Sequence, residues 1–198
     1  MPRYAFHFRL FGTRVLVHWQ FMLALPICWL VMRSGSGGYL GFLSLLALSL
    51  GHEFGHAALA RYCGREVERI ELFFLQGICV HAECEYEIER IVIAWGGALV
   101  QLSLMLVFAV LYHMALQLPR PAFHFLEPIF AIFIAWNAVT LFVNLAPVDG
   151  QDGKIAWRIF SAIGDGTCAG FLRARHDVWR FTRSQTRKNK TQSRIVEG

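Results

Sequence analysis

Residues 52 to 56 read His52-Glu53-Phe54-Gly55-His56. Two histidines four positions apart share one face of a helix, so both imidazoles can reach one metal ion at roughly 2.0–2.1 Å. Glu53 sits one position off that face, near enough to act on a water at the metal without ligating it. Gly51 and Gly55 leave room beside such a helix. The setting sharpens the reading. The motif lies inside an apolar run, Tyr39–Arg61, where two histidines and a glutamate would each cost free energy if unpaired, and such residues usually mark function. A purely structural metal site would close with four protein ligands, whereas this motif supplies two and adds a carboxylate suited to base work. The pattern therefore points to a catalytic metal site.

Two imidazoles need a third ligand from elsewhere. The best source is Asn144-Leu145-Ala146-Pro147-Val148-Asp149-Gly150-Gln151-Asp152-Gly153, which follows the last apolar run. Pro147 ends a helix, and the two glycines let the backbone turn sharply. A carboxylate here can swing back toward His52 and His56. Asp149 and Asp152 both follow Pro147 and both precede glycine, and residue chemistry does not separate them. Cys63, Cys79, His81 and Cys84 can also be drawn as a metal site, but they lack the paired CxxC spacing and read as small buried thiols. With Cys28 and Cys168 the cysteine count is five. An odd count with Cys28 in an apolar run argues against a disulfide framework.

The elements that must position these residues are membrane-like. The chain has 198 residues, of which 56% are apolar and only 17% charged. Ordinary soluble proteins run at roughly 45–50% and 25%, so a water-soluble enzyme and a typical nucleic-acid-binding domain are disfavoured. Four runs have about the 20 apolar residues a bilayer needs: Val15–Met32 with a kink at Pro26, Tyr39–Arg61, Ile91–Leu118 and Pro128–Ala146. The first is too long for a signal peptide and has no cleavage site after Met32. Arginine and lysine divide 17 to 2 between the two sides of these runs, which puts both termini in the cytoplasm. Val67–Phe74 and Ile78–Glu85 flank Gln76-Gly77 and read as a β-hairpin between the second and third spans. The net charge of +5 resides in the tail: residues 173–198 carry eight bases and two acids, leaving −1 for the rest. Such a tail belongs on the anionic cytoplasmic leaflet rather than on nucleic acid. From Ser184 it is polar and expected to be disordered. The fold expected is an α-helical integral membrane protein of about four transmembrane helices with a small β-hairpin. Residues 1–172 form the membrane-embedded domain and 173–198 a basic tail.

With HExxH in an early span and Asn-x-x-Pro-x-x-x-x-Asp-Gly after a later one, the chain resembles the site-2 protease family of intramembrane zinc metalloproteases. Asn144, Pro147, Asp152 and Gly153 match the second motif, and the likeness covers about residues 10–160. It implies that Asp152 is the third ligand to one Zn2+ per chain, beside His52 and His56. It implies that Glu53 is the general base and that Asn144 positions substrate or the developing oxyanion. The activity implied is hydrolysis of a peptide bond in or next to a transmembrane segment of a membrane protein. The implied setting is multi-pass in a prokaryotic plasma membrane, with the lipid bilayer and the substrate helix as partners and no nucleic acid. The hairpin at Val67–Glu85 would clamp an unwound substrate as an added strand. His18, Ser49, Asn137 and Thr140 would line a polar path for water. Two departures stand out. Gly96-Gly97-Ala98-Leu99-Val100-Gln101 replaces the family's Ala-Gly-Pro-x-x-Asn, and Asp149 occupies a position that is usually apolar or proline. The competing readings are a non-proteolytic zinc-binding membrane protein and a metal transporter.

Overall fold

A computed structural model describes residues 4–32, 35–74 and 76–164. Two compact units divide the chain at Trp157 and Arg158. The second contributes one short described helix, α7 (Ile159–Gly164), and the basic tail at 173–198 lies outside the described residues. All other elements belong to the first unit.

The chain opens with two strands, β1 (Tyr4–Leu10) and β2 (Thr13–His18). They are joined at Phe11 and Gly12, both at positive φ, +48° and +78°. A two-residue turn of this hand matches the twist of a hairpin. A 3-10 turn (Trp19–Leu23) leads into α1 (Ala24–Met32), and the long α2 (Gly35–Tyr62) follows. Next come β3 (Val67–Leu72) and β4 (Gly77–His81). The sheet order is β1-β2-β3-β4, with β2 and β3 parallel and the other pairs antiparallel. Parallel neighbours need a long crossover, and α1 with α2 provides it. The expected hairpin is therefore present, as the outer half of a four-stranded mixed sheet.

This corrects the first apolar run. Val15–Met32 is not one helix. Val15 and Val17 sit in β2, fully buried beside Ile70 and Leu72. The exposure along Thr13–His18 alternates with period two, which is a strand's signature. Leu16 between two valines hides that alternation inside what reads as a continuous apolar segment. The apolar helical stretch that remains, Trp19–Met32, falls short of a bilayer's thickness. Pro26 lies in the first turn of α1, where a missing N–H costs little, so the expected kink becomes a helix start.

After the sheet, α3 (Glu87–Ala115) is a 29-residue helix. A second long helix covers Arg120–Asn144, built from α4 (Arg120–Phe130), a π-helical segment (Ala131–Trp136) and α5 (Asn137–Asn144). Among the described residues these two are long and apolar enough to cross a membrane. The 28-residue α2 has the length, but its glycines, serines and the His-Glu-His set dilute its apolarity. A short α6 (Asp152–Ala156) closes the unit.

Two packed regions hold α2. Val15, Val17, Phe21, Ile70 and Leu72 cluster with Ala57, so the inner face of the sheet rests on the residue that follows His56. On the other side Leu48 packs with Ile132 and Phe133, and Phe108 stacks on Phe133 at 3.9 Å between ring centroids. Between α2 and α3, Gly55 and Gly96 meet backbone to backbone. A Cβ on either would overlap the other's main chain. Close helix approach through small residues is how helices pack when no water drives them together.

The start of α3 is tied down by charge. Glu89 accepts backbone N–H groups from Glu85 and Tyr86 at 3.0 and 3.4 Å. Arg65 donates to Glu89 at 2.8 Å and to Glu85 at 2.9 Å. A carboxylate at a helix N-terminus is favoured by the helix dipole. The guanidinium of Arg65, by hydrogen bond and then by charge, holds the Glu85 carboxyl below its ordinary value. A lowered carboxylate adds stability above the unfolded value, about 4.5, and that contribution vanishes as pH falls through the lowered folded value. Arg65→Met should therefore lower the thermal midpoint in detergent at neutral pH. It should also lessen the loss of stability seen on acidifying below about pH 4.5. Thermal midpoints across the acid range check this, and an unchanged acid profile in the variant would contradict it.

Candidate metal centre

His52 and His56 stand one turn apart on α2, as the motif spacing requires. Their Nε2 atoms are 3.1 Å apart. Asp152, from α6, brings Oδ2 to 3.2 Å from His52 Nε2 and 3.1 Å from His56 Nε2. The three donor atoms form a nearly equilateral triangle. A tetrahedral ion with bonds of roughly 2.0–2.1 Å would hold its ligands about 3.3–3.4 Å apart. The triangle is within a few tenths of an ångström of one face of that tetrahedron, and the group could hold a metal ion.

The far side of each imidazole supports the same reading. His56 Nδ1 donates to the carbonyl of Ile93 at 2.8 Å, and His52 Nδ1 meets Gln101 Oε1 at 3.0 Å. With the proton on Nδ1, the Nε2 lone pair faces Asp152 and the other histidine. Metal-binding histidines are commonly fixed in this way. Two imidazoles and one carboxylate form a donor set that suits zinc and leaves a fourth position open.

Three glycines make the geometry possible. The backbone of Gly97 lies so close to both imidazoles that a Cβ there would overlap His52 and His56. A Cβ on Gly153 would overlap Leu145 and Ala146, so the turn presenting Asp152 packs directly on the end of α5. A Cβ on Gly77 would overlap the Glu53 carboxylate, which places the β4 backbone against the buried glutamate. Gly96 and Gly97 thus fall where the neighbouring helix and the imidazoles leave no room for a side chain.

The two aspartates, equivalent by chemistry, differ in place. Asp149 is 85% exposed and pairs with Lys154. Asp152 faces the histidines. Asn144 donates to Gln101 Oε1 at 3.2 Å. His52, Glu53, His56, Asn144 and Asp152 all line one cavity of about 870 Å³. Gly77, Ile78, Cys79 and His81 of the outer strand β4 line it as well.

The other expected residues divide between the cavity wall and the surrounding packing. Of the proposed polar path, Ser49 and Thr140 line the cavity. His18 instead packs against Phe73, the rings tilted at 32° with centroids 5.1 Å apart, and Asn137 is fully buried, donating to the Gln101 and Phe133 carbonyls. Cys63, Cys79, His81 and Cys84 form no metal-holding group among the described residues. Burial, and then Glu53, pushes the Cys79 thiol up to about 12, so it stays protonated and is a poor ligand. Gln101, read in the sequence only as a departure from a motif, is 2% exposed and touches both His52 and Asn144. Its one sequence signal was a polar residue inside an apolar span.

No protein-family model and no curated protein matches the chain. Among solved structures it is similar to the Site-2 Protease from Methanocaldococcus jannaschii, with a TM-score of 0.58 and 20% identity over 80% of this chain and 72% of that one. The chain has the site-2 protease fold.

Metal content tests the assignment of the two aspartates. Asp152→Ala should leave the purified protein with little zinc, because two imidazoles alone bind weakly at a position built for three donors. Asp149→Ala should keep close to one zinc per chain, since that carboxylate faces Lys154. Gly97→Ala should lose zinc as Asp152→Ala does, because the added methyl displaces both imidazoles. Zinc retained in Asp152→Ala, or lost in Asp149→Ala, would move the third ligand elsewhere.

Proposed function

We propose that the chain is an intramembrane zinc metalloprotease of the site-2 protease family, hydrolysing a peptide bond in or next to a transmembrane segment of another membrane protein. One observation carries the reading. The donor triangle of His52, His56 and Asp152 opens on the same cavity as the buried Glu53, within helices that share the site-2 protease fold.

Bound by those three residues, zinc would supply a Lewis acid that brings the pKa of water toward neutrality. The rest of the chemistry belongs to the side chains. Glu53, held against the β4 backbone, takes the proton of the attacking water and returns it to the departing amine nitrogen. Asn144 spends one N–H on Gln101 and has a second to offer a substrate carbonyl oxygen as charge builds there. A helical substrate hides its carbonyls, so the scissile stretch must unwind. The outer strand β4 lines the cavity and offers main-chain groups to which an extended segment can add. Ser49 and Thr140 supply polar lining for water. The ligands converge on a single point, whereas a transporter needs a series of them along a path, and the intact Glu53 speaks against a binding protein without activity.

In the membrane we place both termini in the cytoplasm, with α2, α3 and the Arg120–Asn144 helix crossing and the shorter Trp19–Met32 stretch making a fourth pass where the bilayer thins to match it. The 17-to-2 division of bases supports this orientation. The zinc site then faces the cytoplasmic half of the bundle, and the basic tail lies along the anionic leaflet.

Two experiments test these readings. Glu53→Gln should abolish cleavage of a transmembrane peptide, by at least about 10²-fold as expected for loss of a general base, while keeping about one zinc per chain. Retained cleavage would rule out Glu53 as the base, and no zinc-dependent cleavage by the native protein would remove the protease reading. A membrane-impermeant thiol reagent added from outside should label Ser36→Cys and leave Thr191→Cys unlabelled above the background of native thiols. The reverse pattern would invert the topology.

A further inference from the structure

The side-chain carboxamide of Gln101 sits between three polar groups of the bundle, and the directions of its hydrogen bonds are determined by the chain they form. Thr140 Oγ1 lies 3.1 Å from the carbonyl oxygen of Asn137. A carbonyl can only accept, so the threonine hydroxyl must donate its single proton there. The same Oγ1 lies 3.0 Å from the Gln101 side chain. With its proton already committed it can only accept, so the Gln101 amide nitrogen faces Thr140. That orients the Gln101 carbonyl oxygen toward His52 Nδ1 at 3.0 Å and toward the Asn144 amide at 3.2 Å. An oxygen there can be met only by a donor, so His52 carries its proton on Nδ1. The backbone of Gln101 is held in turn, its carbonyl accepting from Asn137 at 2.8 Å.

We infer that Gln101, aimed by Thr140, is the positioning residue of the site: it sets the tautomer of His52, so that Nε2 is a lone pair directed at the metal position, and it holds the Asn144 amide at the cavity wall. The inference rests on the metal-site reading above and deepens it. His56 obtains the same tautomer from a main-chain carbonyl, which no substitution removes. His52 depends on a side chain, and on one that would give the opposite instruction if its carboxamide were turned over. Thr140, from a different helix, prevents that turn. Gln101 therefore stands apart from a buried polar residue that merely satisfies its neighbours: its effect has a sign, and the sign is set one bond further away.

The test uses the full chain in detergent, with zinc affinity read by competition against a chelator, the two ring nitrogens of ¹⁵N-histidine read by NMR in the metal-free protein, and the thermal midpoint as a check on folding. Gln101→Leu should weaken zinc binding by about 10–100-fold, the range seen when a ligand's outer partner is removed, and should shift the His52 resonances away from the Nδ1-protonated form. Gln101→Glu, whose two oxygens both accept, should bind zinc within a few-fold of the native protein. Thr140→Val should weaken zinc binding severalfold in the native background and have no effect in Gln101→Glu, where no orientation remains to be chosen. A bystander role would give Thr140→Val the same effect in both backgrounds. That result, or unchanged zinc affinity and ¹⁵N shifts in a folded Gln101→Leu, overturns the inference. Native protein that binds no zinc would defeat the metal-site reading instead, and the ¹⁵N shifts would still decide the tautomer.

Discussion

The backbone contact between α2 and α3 is the constraint on which the rest of the site depends. Gly55 and Gly96 let two long helices approach until main chain touches main chain. Only at that separation can His56 Nδ1 reach the Ile93 carbonyl at 2.8 Å and His52 reach Gln101 at 3.0 Å. Gly97 then lies where both rings must turn. A side chain at any of these positions would push the helices apart or the rings aside. The imidazoles would lose the acceptors that fix their protons, and with them the shared direction of their Nε2 atoms.

Two further supports deliver what the helix pair lacks. The sheet rests on Ala57, one residue beyond His56, and its strand β4 lays a glycine backbone against Glu53. The α5–α6 turn packs Gly153 on the end of α5, and Trp95 and Trp157 donate from their indoles to the Ala156 and Leu145 carbonyls. The carboxylate of Asp152 thus arrives on a short, braced turn rather than a loose loop. The base on α2 and the third ligand on α6 are thus each braced by a separate element, and both line the same cavity.

How much of this was legible in the sequence depends on how local each signal is. His52, Glu53 and His56 are one helical turn, and their geometry follows from spacing alone. The β3–β4 hairpin was readable from two short runs around Gln76-Gly77. The β1–β2 hairpin was not, because Val15-Leu16-Val17 continues into an apolar helix and strand burial there looks like membrane burial. Asp149 and Asp152 are alike until Lys154 is considered. The lysine takes Asp149, and Gly153, lacking a side chain, lets the turn that carries Asp152 seat against Leu145 and Ala146. Gln101 looked like a broken motif because its partners, Thr140, Asn144 and His52, lie 39 to 49 residues away in sequence.

The cost of polar groups in an apolar bundle explains why the site is built as a network rather than as three ligands. In a bilayer a lone imidazole or carboxamide has no water to fall back on, so each must find a partner or destabilise the helix that carries it. Here the partners are arranged in series. Asn137 accepts from Thr140, Thr140 from Gln101, and Gln101 from His52 and Asn144. Each member thereby fixes the direction of the next, and satisfied polar chains of this kind are rigid where half-satisfied ones are not. The bonds that let these residues stay buried in an apolar bundle are the same bonds that aim them at the metal position. Solvation of the helices and preorganisation of the site are, in this fold, a single requirement.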